Sequence, residues 1–151
     1  MMSVLTTIDI EGTFKDADSF EALAAFLRQS AARVNFDGTL RLTVEDEDGR
    51  EYRELICDEN DYMEIVKLSF ESKDVSGIYA QIQIDGEGHY FLFLLPSAGV
   101  FSIGVEGGRK TVGESCTDFS WYLQKIGLPI KKMLPGVYAL KCQDLYCGIL
   151  P

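Results

Sequence analysis

The chain has 151 residues, of which 46% are hydrophobic and 25% are charged, and its net charge at pH 7 is −10. This length predicts one domain with a single hydrophobic core, and the composition excludes disordered and collagen-like chains. The first residues lack the basic and apolar regions of a secretory signal, and the longest apolar run, 90–96, is too short to cross a bilayer. We therefore expect a cytoplasmic protein with no membrane role.

The N-terminal third predicts a strand, a helix and a hairpin. Polar and apolar residues alternate over residues 4–10, which is typical of a strand. From Asp18 to Val34 the apolar residues recur every three or four positions, which predicts a helix with one buried face. Residues 39–45 and 51–57 also alternate and flank a short polar loop, so they predict a β-hairpin.

The middle of the chain predicts further strands. Residues 63–70 fit either a strand or a short helix, and a strand is favoured. Residues 78–85 and 89–95 predict a second hairpin that turns at Gly86-Glu87-Gly88. Because residues 90–95 are apolar on both faces, we expect a central strand there, and residues 100–105 predict the next strand of this meander.

The C-terminal third predicts a helix and a last hairpin. Helical spacing of apolar residues favours a helix over 117–126, with Gly127 at its C-cap and Pro129 beyond it. Two short apolar runs, 137–142 and 145–150, predict a hairpin. Strands in runs with one helix near each end indicate the α+β class: a mainly antiparallel sheet of about seven to nine strands with two helices packed against it, in one domain over residues 1–151.

The most unusual feature is an acidic stretch over residues 45–64. It contains ten acidic and two basic residues, which is a net charge of −8 within the total of −10. Such a run is commonly a solvated face, but it can also attract a cationic partner and speed their encounter, and it repels nucleic-acid phosphates. The candidate partner-binding residues are the acids and tyrosines of this stretch and the acids of the next turn: Glu45, Asp46, Glu47, Asp48, Tyr52, Asp58, Glu59, Asp61, Tyr62, Asp85 and Glu87. Tyr79 is a further candidate aromatic anchor.

No catalytic, cofactor or metal motif is complete, so we predict no catalytic residue, cofactor or metal. Asp46, Asp48 and Gly49 form only a fragment of a calcium loop. His89 is the one histidine, so any acid–base scheme depends on it, with Cys57 or Cys116 as its nucleophile; a partly exposed histidine beside a turn is the simpler interpretation. The cysteines lack the spacing of a disulfide framework or zinc site, and we interpret them as reduced thiols in or near the core: Cys57, Cys116, Cys142 and Cys147.

In size and charge, though in no motif, the chain resembles bacterial immunity proteins, which neutralise a toxin by covering its active site. The resemblance implies an acidic protein-binding domain, an immunity or inhibitor protein, that occludes the active site of a cognate basic toxin or enzyme. One alternative is a small-molecule-binding or enzymatic α+β domain that uses His89 and a cysteine. Another is an adaptor or chaperone-like subunit. The oligomeric state stays open.

Overall fold

The computed structural model describes residues 3–36, 38–46, 49–56, 66–67, 75–94, 98–113 and 116–147. The strands in these ranges are β1 (Ser3–Gly12), β2 (Asn35–Phe36), β3 (Thr39–Asp46), β4 (Gly49–Ile56), β5 (Val75–Ile84), β6 (Glu87–Leu94), β7 (Val100–Glu106), β8 (Thr111–Val112), β9 (Cys116–Thr117) and β10 (Val137–Cys147). Besides the two helical residues 66–67, the helices are α1 (Asp16–Gln29) and a second helical run made of α2 (Phe119–Tyr122), a π-helical segment (Leu123–Gly127) and α3 (Leu128–Met133). No helix within the described ranges is long and apolar enough to span a membrane.

Eight of these strands form one antiparallel sheet, and β8 and β9 form a separate small one. The large sheet runs β10-β1-β7-β6-β5-β3-β2. β4 pairs with β3 along its full length, from Thr39 opposite Ile56 to Asp46 opposite Gly49, so it lies on the other side of β3 from β5 and β2. The predicted α+β class, with a mainly antiparallel sheet, is confirmed.

The core lies between one face of the sheet and the helices. Alternation along the strands aligns Ile8, Ile103, Phe93 and Ile78 across four neighbouring strands, and each is fully buried. From α1, the ring of Phe26 lies 6.3 Å from that of Phe93. Burial of each such side chain contributes about 1.5–3 kcal/mol. Both helices therefore cover the same face of the sheet, and residues of opposite parity, such as Gly104, point to the other face.

Helix α1 ends five residues before the predicted Val34. Ala31 has a left-handed backbone, with φ of 48°, which an α-helix does not tolerate. After this turn the backbone amides of Arg33 and Gln81 each donate to the other residue's carbonyl, at 2.8 Å. Val34 still reaches the core, but from an extended segment, which is why its spacing fitted the helical pattern.

The second helical run does not end at Gly127 as predicted. The amide of Leu128 donates to the carbonyl of Leu123, five residues back, which closes a wide π turn. Pro129 follows in the first turn of α3, where its missing N–H is tolerated. Gly127 lies within the helical run rather than capping it, and a Cβ there would be in ordinary contact with Leu140 and Ile8, at 3.6–3.7 Å.

Three smaller predictions also differ from the structure. The predicted C-terminal hairpin is wrong within the described residues, because residues 137–147 form one strand that pairs with β1 from Gly12 back to Ser3. The β5–β6 turn is Asp85-Gly86, with φ of 53° and 83°, as a type I′ hairpin requires. Val66 and Lys67 are helical where a strand was favoured, and the rest of residues 63–70 lies outside the described ranges.

Candidate functional site

The acidic stretch begins on the β3–β4 hairpin. Glu45 lies opposite Arg50, and Asp46 lies opposite Gly49 at the end of the paired segment. The remaining candidates of the stretch, apart from Tyr52, lie outside the described residues: Glu47, Asp48, Asp58, Glu59, Asp61 and Tyr62. The described part of this acidic stretch is therefore the β3–β4 pair, which we call the acidic arm.

Strand β4 exposes side chains on both of its faces. Glu51, Tyr52, Arg53 and Glu54 are consecutive and all exposed, whereas Val44, opposite Glu51, is buried. A strand with one face on the core shows alternating burial, so β4 extends beyond the edge of the helical layer. These four side chains are therefore accessible to a partner from both sides of the sheet.

Two ion pairs among the described side chains of the acidic arm are long and exposed. A nitrogen of Arg53 lies 3.8 Å from a Glu51 oxygen, and Arg41 Nε lies 3.9 Å from Glu54 Oε1. Exposed pairs at these distances contribute about 0–1 kcal/mol, so a partner can replace them without a large penalty.

Tyr52 is the exposed aromatic group of the acidic arm. Its side chain is 53% exposed, and its hydroxyl donates to Glu54 Oε1 at 2.8 Å. Its ring lies 6.1 Å from the ring of Tyr79 on β5. These two contacts hold the ring in place, so docking a partner on it requires little further ordering.

The second acidic group, Asp85 and Glu87, lies at the opposite end of the sheet. The acidic arm adjoins the start of β5, since Val44 pairs with Val75, whereas Asp85 follows the last residue of β5. Nine residues of strand separate the two ends, which is about 30 Å. Asp85 Oδ2 instead lies 3.6 Å from Lys125 Nζ. The structure therefore does not bring Asp85 and Glu87 together with the acidic arm.

His89 packs against the second helical run. Its ring centroid lies 4.9 Å from that of Trp121, and its side chain is 10% exposed. Within the described part of the chain, Nε2 is buried and has no hydrogen-bond partner, and Glu87 Oε2 lies 3.8 Å from it. This histidine is more buried than the sequence suggested, and its contacts are those of a packed core-edge side chain.

A cavity of about 610 Å³ lies where the small sheet meets β10 and β1. The Asp144 carboxylate accepts hydrogen bonds from Thr6, at 2.7 Å, and from Thr117, at 2.8 Å. Arg109 donates to the Thr117 hydroxyl and lies 4.0 Å from Asp144. Buried donors and acceptors thus satisfy one another, as the interior requires. Sequence reasoning missed this cavity because its lining residues come from separate parts of the chain, with no shared motif.

Two cysteines line the same cavity, and both are free thiols. Cys116 is exposed, whereas Cys142 is partly buried. Burial, and to a smaller extent the nearby carboxylates of Asp144 and Asp9, raise the pKa of Cys142 to about 12. Because the thiolate is the reactive form, Cys142 is not an activated nucleophile at neutral pH.

A second cavity, of about 330 Å³, opens on the face of the sheet away from the helices. Its floor is Gly104, which lies between Leu92 on β6 and Thr7 on β1. No group of His, Cys, Asp and Glu within the described ranges is arranged to hold a metal ion.

No protein-family model, curated protein or solved structure matches this chain. The geometry of the described surfaces is therefore the basis for any functional proposal.

Proposed function

We propose that this protein is an acidic protein-binding domain, of the immunity or inhibitor kind, that occludes the active site of a cognate basic toxin or enzyme. The observation that carries the proposal is the acidic arm: an edge strand with Glu51, Tyr52, Arg53 and Glu54 all exposed, within a stretch with net charge −8. A partner surface rich in Lys and Arg complements this charge.

The mechanism is steric cover combined with electrostatic attraction. A cluster of negatively charged carboxylates speeds the encounter with a basic cleft, and salt weakens this attraction by screening it. Tyr52 supplies the apolar contact that charge alone does not, because exposed aromatic groups that become desolvated dominate many interfaces. Since residues 51–54 of the acidic arm are exposed on both faces of the strand, they can contact a cleft from either side.

The cavity beside Arg109 favours a second candidate, a small-molecule-binding domain. It joins apolar walls from Val4 and Phe119 to the polar group of Arg109 and Asp144, which is the usual character of a ligand site. An enzyme built on Cys142 is disfavoured by the raised pKa of that thiol. An adaptor or chaperone-like role would use the acidic arm as an inhibitor does, and it differs in leaving the partner active.

The test compares two pairs of substitutions that each remove two charges. The first is Glu51→Gln with Glu54→Gln on the acidic arm, and the control is Asp16→Asn with Glu21→Gln on the exposed side of α1. Each of the three proteins is immobilised on a support and incubated with cell lysate at low and high salt. The lysate protein that each one retains is identified, and the activity of that partner is assayed with and without the domain.

We expect the wild type and the α1 control to retain a basic protein, and the acidic-arm variant to bind that protein about tenfold more weakly. The basic protein should lose its activity when the domain is bound. Equal retention by both variants would contradict the role of the acidic arm. Retention of a partner that keeps full activity would replace inhibition with an adaptor role.

A further inference from the structure

The face of the sheet opposite the helices carries a groove with no side chain at its centre. Across five strands, Tyr79, Leu92, Gly104, Thr7 and Gln143 lie in one row. Gly104 is buried in the floor of this groove, and a Cβ there would meet Leu92 and Leu5 at 3.8–3.9 Å, which is ordinary contact distance, so a methyl group fits above this glycine. The apolar part of its lining includes Leu5, Leu92 and Leu145.

Both charged residues among the described lining of this groove are acidic. Asp9 accepts hydrogen bonds from Ser102 and Gln143, both at 2.7 Å, which fixes its carboxylate in position. Lys141, which pairs with Asp9 in the sheet, has its ammonium group 3.1 Å from Glu11 instead. Neutral donors therefore orient the Asp9 carboxylate, and the ammonium group of Lys141 does not neutralise its charge.

The two carboxylates stand at opposite ends of the groove. Asp9 contacts Ser102, and Glu106 lies four residues further along the same strand, β7, with Gly104 midway between them. Four residues of strand span about 13 Å. An extended peptide places residues i, i+2 and i+4 on one face over the same length, so the three side chains on that face match an acid, the glycine floor and a second acid.

We propose that this groove accepts an extended segment of a basic protein partner, with an apolar side chain above Gly104 and a Lys or Arg on each side of it. The proposal rests on the proposed function for the class of partner, and it names a second contact surface for that partner. The apolar stems of the flanking basic residues cover the leucine walls, and their charged ends reach Asp9 and Glu106. Charge complementarity selects a basic segment over an acidic or neutral one.

The test uses the full chain with labelled methyl groups and amides, titrated with the acetylated and amidated peptide Arg-Thr-Leu-Thr-Arg. We expect saturable shifts confined to the amide of Gly104 and the methyls of Leu5, Leu92 and Leu145. Two control peptides, Arg-Thr-Gly-Thr-Arg and Glu-Thr-Leu-Thr-Glu, should each bind about tenfold more weakly. Equal binding of all three peptides, or shifts spread over the whole surface, would overturn the proposal.

Two variants separate loss of the groove from loss of the fold. Gly104→Leu fills the groove and should abolish the shifts, while the control Gln83→Leu places the same side chain at an exposed site on another part of this face and should leave them. Glu106→Gln removes one carboxylate without adding volume and should weaken the peptide severalfold. If Glu106→Gln binds as the wild type does, the proposed end contact is wrong.

The outcome is separable from that of the proposed function. If a partner binds through the acidic arm but the peptide leaves the groove unshifted, the groove proposal fails and the proposed function stands. If the peptide saturates the groove while substitution of the acidic arm changes no partner binding, the proposed function fails and the groove remains a site for basic segments.

Discussion

Substitution of Gly12 should be one of the most damaging small changes in this fold. Gly12 lies where β1 and β10 shift register, and its amide donates to the carbonyl of Gly99 at 2.9 Å. A Cβ on Gly12 would lie 2.4 Å from the carbonyl oxygen of Gly136 and 2.9 Å from Cα of Val137. Both are backbone atoms, so the two strands must separate to admit even one methyl group.

We expect Gly12→Ala to reduce the free energy of unfolding by about 2–3 kcal/mol, the usual effect of overpacking an ordered site. For a chain of this size that corresponds to a fall of roughly 4–12 °C in Tm. Gly104→Ala is the matched control, because its Cβ has no neighbour closer than 3.8 Å and alanine suits a strand better than glycine. Urea unfolding followed by circular dichroism and by Trp121 fluorescence measures both variants. Equal stability of the two would refute the close approach of β1 and β10.

The remaining predictions concern Tyr122 and the two described thiols. Tyr122→Phe should lower the free energy of unfolding by about 1–2 kcal/mol, because the hydroxyl accepts the Lys110 amide at 2.8 Å and its loss leaves that donor without this partner; thermal unfolding checks this. At pH 8, iodoacetamide should alkylate Cys116 readily and Cys142 only after unfolding, as mass spectrometry of digested samples reports; equal rates would contradict the burial of Cys142. Folding raises the pKa of Cys142 from 9.0 to about 12, so the contribution of this thiol to stability is complete below pH 9 and is lost as the pH rises toward 12. The free energy of unfolding of Cys142→Ala should therefore fall less steeply with pH across that window than that of the wild type.

The sequence predicted those elements whose signal is local. Alternation along residues 4–10, 39–45 and 78–85 identified strands correctly, since one face of each packs against the same core. The turn was predicted at Gly86-Glu87-Gly88, whereas the structure has it at Asp85-Gly86, because the neighbouring glycines made more than one turn position possible. The α+β class followed from the order of these elements, and the structure confirms it.

The errors arose where distant contacts override local signals. Gly127 and Pro129 normally indicate the end of a helix. Here the amide of Leu128 donates to the carbonyl five residues back instead of four, which forms a π turn, and the helical run continues. The polar pair Gln143-Asp144 suggested a turn, yet Asp144 is held inside the sheet by Thr6 and Thr117. Such a residue looks like a turn in sequence and becomes a strand residue only through its tertiary hydrogen bonds.

The candidate sites show the same limit. Charge density identified the acidic stretch from the sequence, and the exposure of residues 51–54 agrees with a surface role for its described part. Charge density did not reveal that Asp85 lies at the end of the sheet opposite the acidic arm, because the order of the strands decides which turns are neighbours. The groove at Gly104 was equally hidden, since a glycine in a strand carries no sign of what surrounds it.

The central claim is that the acidic arm attracts and contacts a basic partner. The most direct measurement is the association rate constant with the captured partner at several salt concentrations, for the wild type, for Glu51→Gln with Glu54→Gln, and for Asp16→Asn with Glu21→Gln. We expect the rate constant to fall steeply with salt for the wild type and the α1 control, and to be several times lower and flatter for the acidic-arm variant. Identical salt dependence in all three proteins would contradict the claim.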